Sequence, residues 1–388
     1  MNQLQIQFCL LPLCENFLKM INAWFGNCAA ILSEKVLFGK CNKFKIPVLS
    51  VFAVLKILIF IVRISPMEYP EEFRDIAEFI RKYDDFLIVS HFNPDGDAIC
   101  STLGFGELLK TLGKKYLMAI EGGSPQKYDF LPASKSIFDP SAEELPLTYS
   151  TLVTLDIGSF ERIGSAKELL KENPVILNID HHSSNKGFGE VHLVDTKSSS
   201  VCEIITRLAQ YMKVEIGKDM ATYLYTGIMT DTGRFRFGST TAPAMKACAY
   251  LIECGADPVM ISEKIYFDLP KEYIEALGKA LYSLEFFADD RLAMMEYHHS
   301  VQIPDAEGFI DFAVGIRGVM GAVFIRLIPD DGRFKVSLRA RGAFTISDIA
   351  ESYGGGGHPK AAGFRYRGSL QELKTGLINA LTEKINKL

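Results

Sequence analysis

Three short apolar runs, residues 86–89, 152–155 and 175–179, each lead into a loop bearing acids or histidines, with stretches of helical spacing between them. A run of this length bounded by polar, turn-forming residues reads as a buried strand. Residues 117–120 give a further strand, and residues 70–83, 98–112, 198–211 and 218–229 read as helices. Strands that alternate with helices need a crossover after each strand, so the chain is confined to an α/β fold with a mainly parallel sheet covered on both faces. In such sheets ligands collect beyond the ends of the strands.

Those ends carry the chemistry. The stretch 176–185 reads Ile-Leu-Asn-Ile-Asp-His-His-Ser-Ser-Asn and delivers an acid and two imidazoles in succession. His91, Asp95, Asp97, Asp156, Asp180, His181 and Asp231 all stand at or just past the end of a predicted strand or helix. Carboxylates with a minority of imidazoles suit a hard divalent ion such as Mn²⁺ or Mg²⁺, whereas zinc sites lean on cysteine and histidine. Each residue also has a structural reading. Asn93-Pro94-Asp95-Gly96 is strong turn chemistry, Asp95 and Asp97 suit a turn and a helix N-cap, and Asp231 suits an Asx turn.

Charge narrows the partners. Residues 1–66 carry seven Lys or Arg against Glu15 and Glu34, while the remaining 322 residues hold 35 basic and 45 acidic groups. An acidic body argues against coating long nucleic acid, whose affinity comes largely from Lys and Arg on phosphates. A short anionic substrate held locally remains allowed. Cys100, Cys202, Cys248 and Cys254 lie singly with no CxxC pair, which fits small core residues in a reducing cytoplasm. The apolar run 46–62 contains Pro47, Ser50 and Lys56 and falls short of the ~20 residues of a membrane helix. Residues 1–66 therefore have three readings: an extension upstream of a true start at Met67, a membrane or interfacial anchor, or a helical accessory.

Beyond residue 257 the texture changes. Residues 258–287 are mostly helix-compatible and read as a connector. From 288 onward, strands at 292–297, 323–327 and 334–338 and a helix near 346–353 form a second, smaller α/β domain, with a glycine-rich loop at 354–363. Gly355, Gly356 and Gly357 let backbone N–H groups approach phosphate oxygens, and His358 adds a side-chain donor.

Four stretches in this order, His91-x-x-x-Asp95-x-Asp97, Leu155-Asp156, Asp180-His181-His182 and Thr230-Asp231, resemble the four motifs of the DHH phosphoesterases. The loop 354–363 resembles the signature of their DHHA1 companion domain, and the whole is most similar to the bifunctional oligoribonuclease and pAp phosphatase branch. The resemblance covers residues 67–388. It implies a DHH catalytic domain at 67–257, the connector at 258–287 and a DHHA1 substrate-binding domain at 288–388. One Mn²⁺ would be held by His91, Asp95 and Asp156, and a second by Asp97, Asp156, His181 and Asp231, with Asp156 bridging. Asp180 would orient the site and His182 would face the scissile phosphate. Arg339 matches a substrate-facing arginine of the family, with Arg317 and Arg341 as further candidates. The implied activity is hydrolysis of short RNA oligonucleotides and of nucleotide phosphates such as 3′-phosphoadenosine 5′-phosphate (pAp) by a hydroxide activated at the two ions, in a cytoplasmic enzyme able to form a homodimer. The alternative within the same chemistry is a cyclic dinucleotide or pApA phosphodiesterase, and outside it a non-catalytic nucleotide-binding module.

Overall fold

The computed structural model describes residues 69–298, 306–328 and 332–388. The expectations for residues 1–66 lie outside these residues. Residues 71–388 form one compact unit.

Helix α1 (Glu72–Lys82) buries Phe73, Ile76, Phe79 and Ile80 at helical spacing. The chain then builds β1 (Phe86–Val89), α2 (Gly96–Thr111), β2 (Tyr116–Ala119), β3 (Tyr149–Leu155), β4 (Leu170–Asp180) and β5 (Val191–Val194). These five strands form a fully parallel sheet in the order β2-β1-β3-β4-β5. The order reverses between β1 and β3, where loops leaving neighbouring strands diverge and open a crevice. His91, Asp95 and Asp97 follow β1 and Asp156 follows β3, so the switch point receives the first two motifs. Strand β5 is an addition to the sequence reading: its four residues alternate in burial at the sheet edge and carry only a weak apolar signal.

Helices α3 (Val201–Met212) and α4 (Lys218–Asp231) pack with α2 over the sheet. Their approach depends on glycines. A Cβ on Gly96 would stand 2.2 Å from Thr230 Oγ1, and one on Gly227 would stand 2.2 Å from Cys202 Sγ. Cys100, Cys202 and Cys248 are buried and unpaired, as small core residues should be.

Helices α5 (Ala242–Glu253), α6 (Pro258–Tyr266) and α7 (Lys271–Tyr282) lead to the second sheet. That sheet comprises β6 (Glu285–Phe287), β7 (Leu292–Tyr297), β8 (Gly321–Ile328), β9 (Arg333–Ala340), β10 (Gly356–His358) and β11 (Ala361–Tyr366), in the order β10-β11-β9-β8-β7-β6. Period-2 alternation sends Leu292 and Met294 to one core, against α10 (Leu370–Ile385), and Ala293 and Met295 to another, against α7 and α8 (Phe309–Val314). Ala276 and Ala280 of α7 belong to the second core, so half of the expected connector is integral to this layer.

The glycine loop is corrected by the structure. After α9 (Ser347–Ser352), residues 356–358 and 361–366 form an antiparallel hairpin turned by Pro359 and Lys360. Glycine carries no strand propensity, so this edge strand is made by its partner and not by its own side chains. Among the described residues no helix is long and apolar enough to cross a membrane.

Candidate two-metal centre

The loop after β1 places His91 and Asp95 on one side of Asp156. Asp95 caps α2, its Oδ1 accepting from Ala98 N at 3.0 Å, so the turn-and-cap reading of this residue holds together with its place in the site. Asp97 does not cap its own helix. It is 1% exposed, and its two oxygens accept from Val201 N at 2.7 Å and Cys202 N at 3.0 Å, at the start of α3. Ser200 caps that helix by accepting from Glu203 N, and Glu203 reaches back one residue further to accept from Ser199 N, which fixes the donors holding Asp97.

Asp156 lies just beyond β3 with φ of 59°, a left-handed conformation that turns its carboxylate inward. Its Oδ2 is 3.6 Å from His91 Nε2 and its Oδ1 is 3.6 Å from His181 Nε2, so one carboxylate faces an imidazole on each side. His181 Nε2 is also 3.6 Å from Asp231 Oδ2. These separations exceed a hydrogen bond and suit ligands sharing an ion. Both imidazoles are set for it: the backbone carbonyl of Phe92 lies 2.9 Å from His91 Nδ1, and that of Ser198 lies 3.4 Å from His181 Nδ1. With Nδ1–H donating to a carbonyl, the Nε2 lone pair is left for a cation.

Three groups result among the described residues, His91-Asp95-Asp156, Asp97-His181-Asp231 and Asp156-His181-His182, each with its donor atoms within 4.8 Å of one another. Asp156 Oδ1 is buried without a hydrogen-bond partner. An orphaned carboxylate oxygen between two aimed imidazoles fits a bound divalent ion, and the oxygen-rich donor set fits a hard one. His182 also lies near Asp156, at 3.4 Å, but its Nδ1 is engaged by Asp180 Oδ1 at 2.8 Å and is not free to ligate.

Charge is crowded here. Burial first, and then Asp156, push the Asp97 carboxyl up to about 7. Asp231 is raised well above the usual carboxylate range by burial and by Asp97 and Asp95. Burial opposes ionisation of Asp156 too, yet His181 and His91 outweigh it and hold its carboxyl well below that range. Desolvation lowers the histidines, and the surrounding carboxylates overcome it, so His91 is raised and His181 raised well above its ordinary value.

Asp180, fully buried, organises the turn. Its Oδ1 accepts from His181 N at 2.7 Å and from His182 Nδ1, and its Oδ2 from Asn185 Nδ2 at 2.7 Å. Asn185, the Ser198 carbonyl and the N-terminus of α3 were not legible as site parts. Ser200-x-x-Glu203 was the available signal for the last of these.

The second sheet meets this centre through β10. The His358 ring stacks on that of His182, centroids 5.0 Å apart and 18° from parallel, and lies 6.2 Å from His181. Desolvation and these two imidazoles lower the His358 pKa. The glycines serve the hairpin first: a Cβ on Gly355 would stand 2.2 Å from Gly363 O and one on Gly357 2.5 Å from Ala361 O, while Gly356 faces open space. Arg339 on β9 has Nε 3.8 Å from Asp311 Oδ1, with no hydrogen-bond partner for that nitrogen. Asp311 also accepts from Arg236 Nη2 at 2.8 Å, five residues past Asp231. Arg341 donates to Val314 O at 3.1 Å, and Arg317 is exposed after α8.

Residues 85–228 match the model of the DHH family, N-terminal domain, and residues 309–387 match that of the DHHA1 domain. The chain is 31% identical over 322 residues to the bifunctional oligoribonuclease and PAP phosphatase NrnA of Thermus thermophilus, covering 82% of this chain and 96% of that one. It is 27% identical over 325 residues to the cyclic-di-AMP phosphodiesterase PdeA of Listeria monocytogenes, covering 79% of this chain and 48% of that protein. An exopolyphosphatase-related protein from Bacteroides fragilis superposes with a TM-score of 0.76 at 26% identity, covering 82% of this chain and 98% of that one. With its four acid-and-histidine motifs gathered at one switch point and a DHHA1 hairpin set against them, the chain belongs to the DHH/DHHA1 phosphoesterases, hydrolases of phosphate esters, in the branch of the bifunctional oligoribonucleases and PAP phosphatases.

Proposed function

We propose that this enzyme removes nucleotides from RNA oligomers of a few residues and dephosphorylates pAp. The observation that carries the reading is the contact of His182 with His358, which sets the DHHA1 strand directly against the metal cluster. A substrate cut at the metals and held by that strand need span only a few nucleotides. The Thermus relative is named for this pair of activities.

Two divalent ions would supply Lewis-acid polarisation of the phosphoryl group and a nucleophile from water. His91, Asp95 and Asp156 would hold one, and Asp97, Asp156, His181 and Asp231 the other. Mn²⁺ is our first assignment and Mg²⁺ the second, on the hard, oxygen-rich donor set. Asp180 fixes the His182 ring through Nδ1 and leaves Nε2 for the substrate. Desolvation opposes the charged form of His182, but Asp180 and Asp156 raise its pKa, so an imidazolium can donate to a phosphate oxygen or the leaving group. His358, lowered, is the neutral partner of the stack. Arg339, Arg317 and the hairpin around Gly355, Gly356 and Gly357 supply the substrate side. Within this reading residues 67–257 act as the catalytic domain, 258–287 as connector and 288–388 as the substrate domain of a cytoplasmic enzyme, with a homodimer as its assembly.

The test is turnover with Mn²⁺ on short RNA, pAp, pApA and a cyclic dinucleotide, with Asp156→Ala as control. Preference for short RNA and pAp is expected. Preference for the cyclic dinucleotide, the substrate class in the Listeria relative's name, would replace the reading.

A further inference from the structure

Asp156 divides the centre. Its Oδ1 faces His181, His182 and, through them, His358, whereas its Oδ2 faces His91. The His358 side meets the DHHA1 hairpin. The His91 side has no assigned partner for substrate, yet two groups gather there.

Phe92 sits between the ligands His91 and Asp95 and keeps 36% of its surface exposed, in a loop otherwise tied to the core by the buried Ser90 Oγ bond to Leu155 O at 2.8 Å. The Arg162 guanidinium lies 5.9 Å over its ring. Phe92 N donates to Arg162 O at 3.2 Å, which locks the two segments together. Arg162 is half-buried and close enough to His91 to oppose its protonation. Among the described residues its guanidinium has no carboxylate partner and no hydrogen bond. Beyond this contact with the ring, the half-buried cation meets no acid and the ring stays exposed, so both groups remain open to a further partner. An arginine presents a planar fork to phosphate, and an aromatic face accepts any nucleobase.

We propose that Phe92 and Arg162 form a second nucleotide subsite, on the opposite side of the scissile phosphate from the DHHA1 hairpin. The base stacks on Phe92 and Arg162 pairs with the adjoining phosphate. This deepens the proposed activity on short RNA and rests on it. The subsite needs a second nucleotide. A dinucleotide fills both sides, whereas pAp has one base and uses the DHHA1 side alone. The two activities then differ in the residues they need.

The experiment compares KM and kcat for an RNA dinucleotide and for pAp in the wild type, Phe92→Leu, Phe92→Trp and Arg162→Ala, each checked for folding by thermal melting. Phe92→Leu and Arg162→Ala should raise KM for the dinucleotide about tenfold, with KM for pAp unchanged. Phe92→Trp should restore or lower the dinucleotide KM, since a larger ring stacks as well. An unchanged dinucleotide KM, or equal losses on both substrates, would overturn the subsite. A wild type that turns over neither substrate would instead overturn the functional reading, and the subsite with it.

Discussion

The imidazoles of His182 and His358 lie face to face, one from the metal domain and one from the DHHA1 strand, with ring centroids 5.0 Å apart. Two stacked imidazoles cannot both carry a proton cheaply, and the surroundings resolve the conflict. Asp180 favours charge on His182, while burial, His182 and His181 favour the neutral form of His358.

That division predicts a pH profile. If protonated His182 acts on the phosphate, kcat declines as pH rises through its raised pKa. Asp180→Asn removes the anion that sustains the proton, so the alkaline limb should move to lower pH, with kcat down about 10- to 100-fold. A pH–rate profile of the variant checks both; a limb that stays in place would show that another group titrates.

Metal affinity should rise with pH. His91 and His181 are raised by their carboxylates, and each must lose its proton to bind an ion, so acidification competes with metal. Calorimetric titration with Mn²⁺ at about pH 6 and about pH 8 should give weaker binding and more proton release at the lower pH.

Asp156→Ala should abolish metal-dependent turnover, because under the proposed assignment both ions lose the carboxylate they would share. The metal-free variant should also melt lower than wild type at neutral pH, since His91 and His181 lose the carboxylate that both face and that they hold ionised. Saturating Mn²⁺, which raises the wild-type melting temperature, should leave that of the variant almost unmoved.

Gly227→Ala should destabilise the protein by about 1–3 kcal/mol through overpacking. Its Cβ would meet Cys202 Sγ at 2.2 Å and Asp97 Oδ1 at 3.1 Å, so metal affinity should fall as well. Adding Cys202→Ala should recover much of the stability, measured by urea denaturation.

Asp311→Ala should cost little stability, because its pair with Arg236 is largely solvent-exposed and worth about 0–1 kcal/mol. KM for short RNA should still rise, as Arg339 loses the carboxylate beside its Nε. A small generic phosphodiester that does not reach Arg339 should be hydrolysed as before.

The sequence by itself determined the strands and helices whose ends carry His91, Asp95, Asp97, Asp156, Asp180, His181 and Asp231, and the hard character of the ion they suit. These are local properties: periodicity sets the elements, and a strand that runs out of apolar residues must end in a polar loop. Only the tertiary structure decided how those ends are used. Asp97 is held by amides 104 and 105 residues away in sequence, the glycine loop becomes a strand because β11 pairs with it, and Arg236 reaches Asp311 across 75 residues. No local pattern encodes such contacts. They arise when close-packed helices and paired strands leave each polar group one place where it can be satisfied.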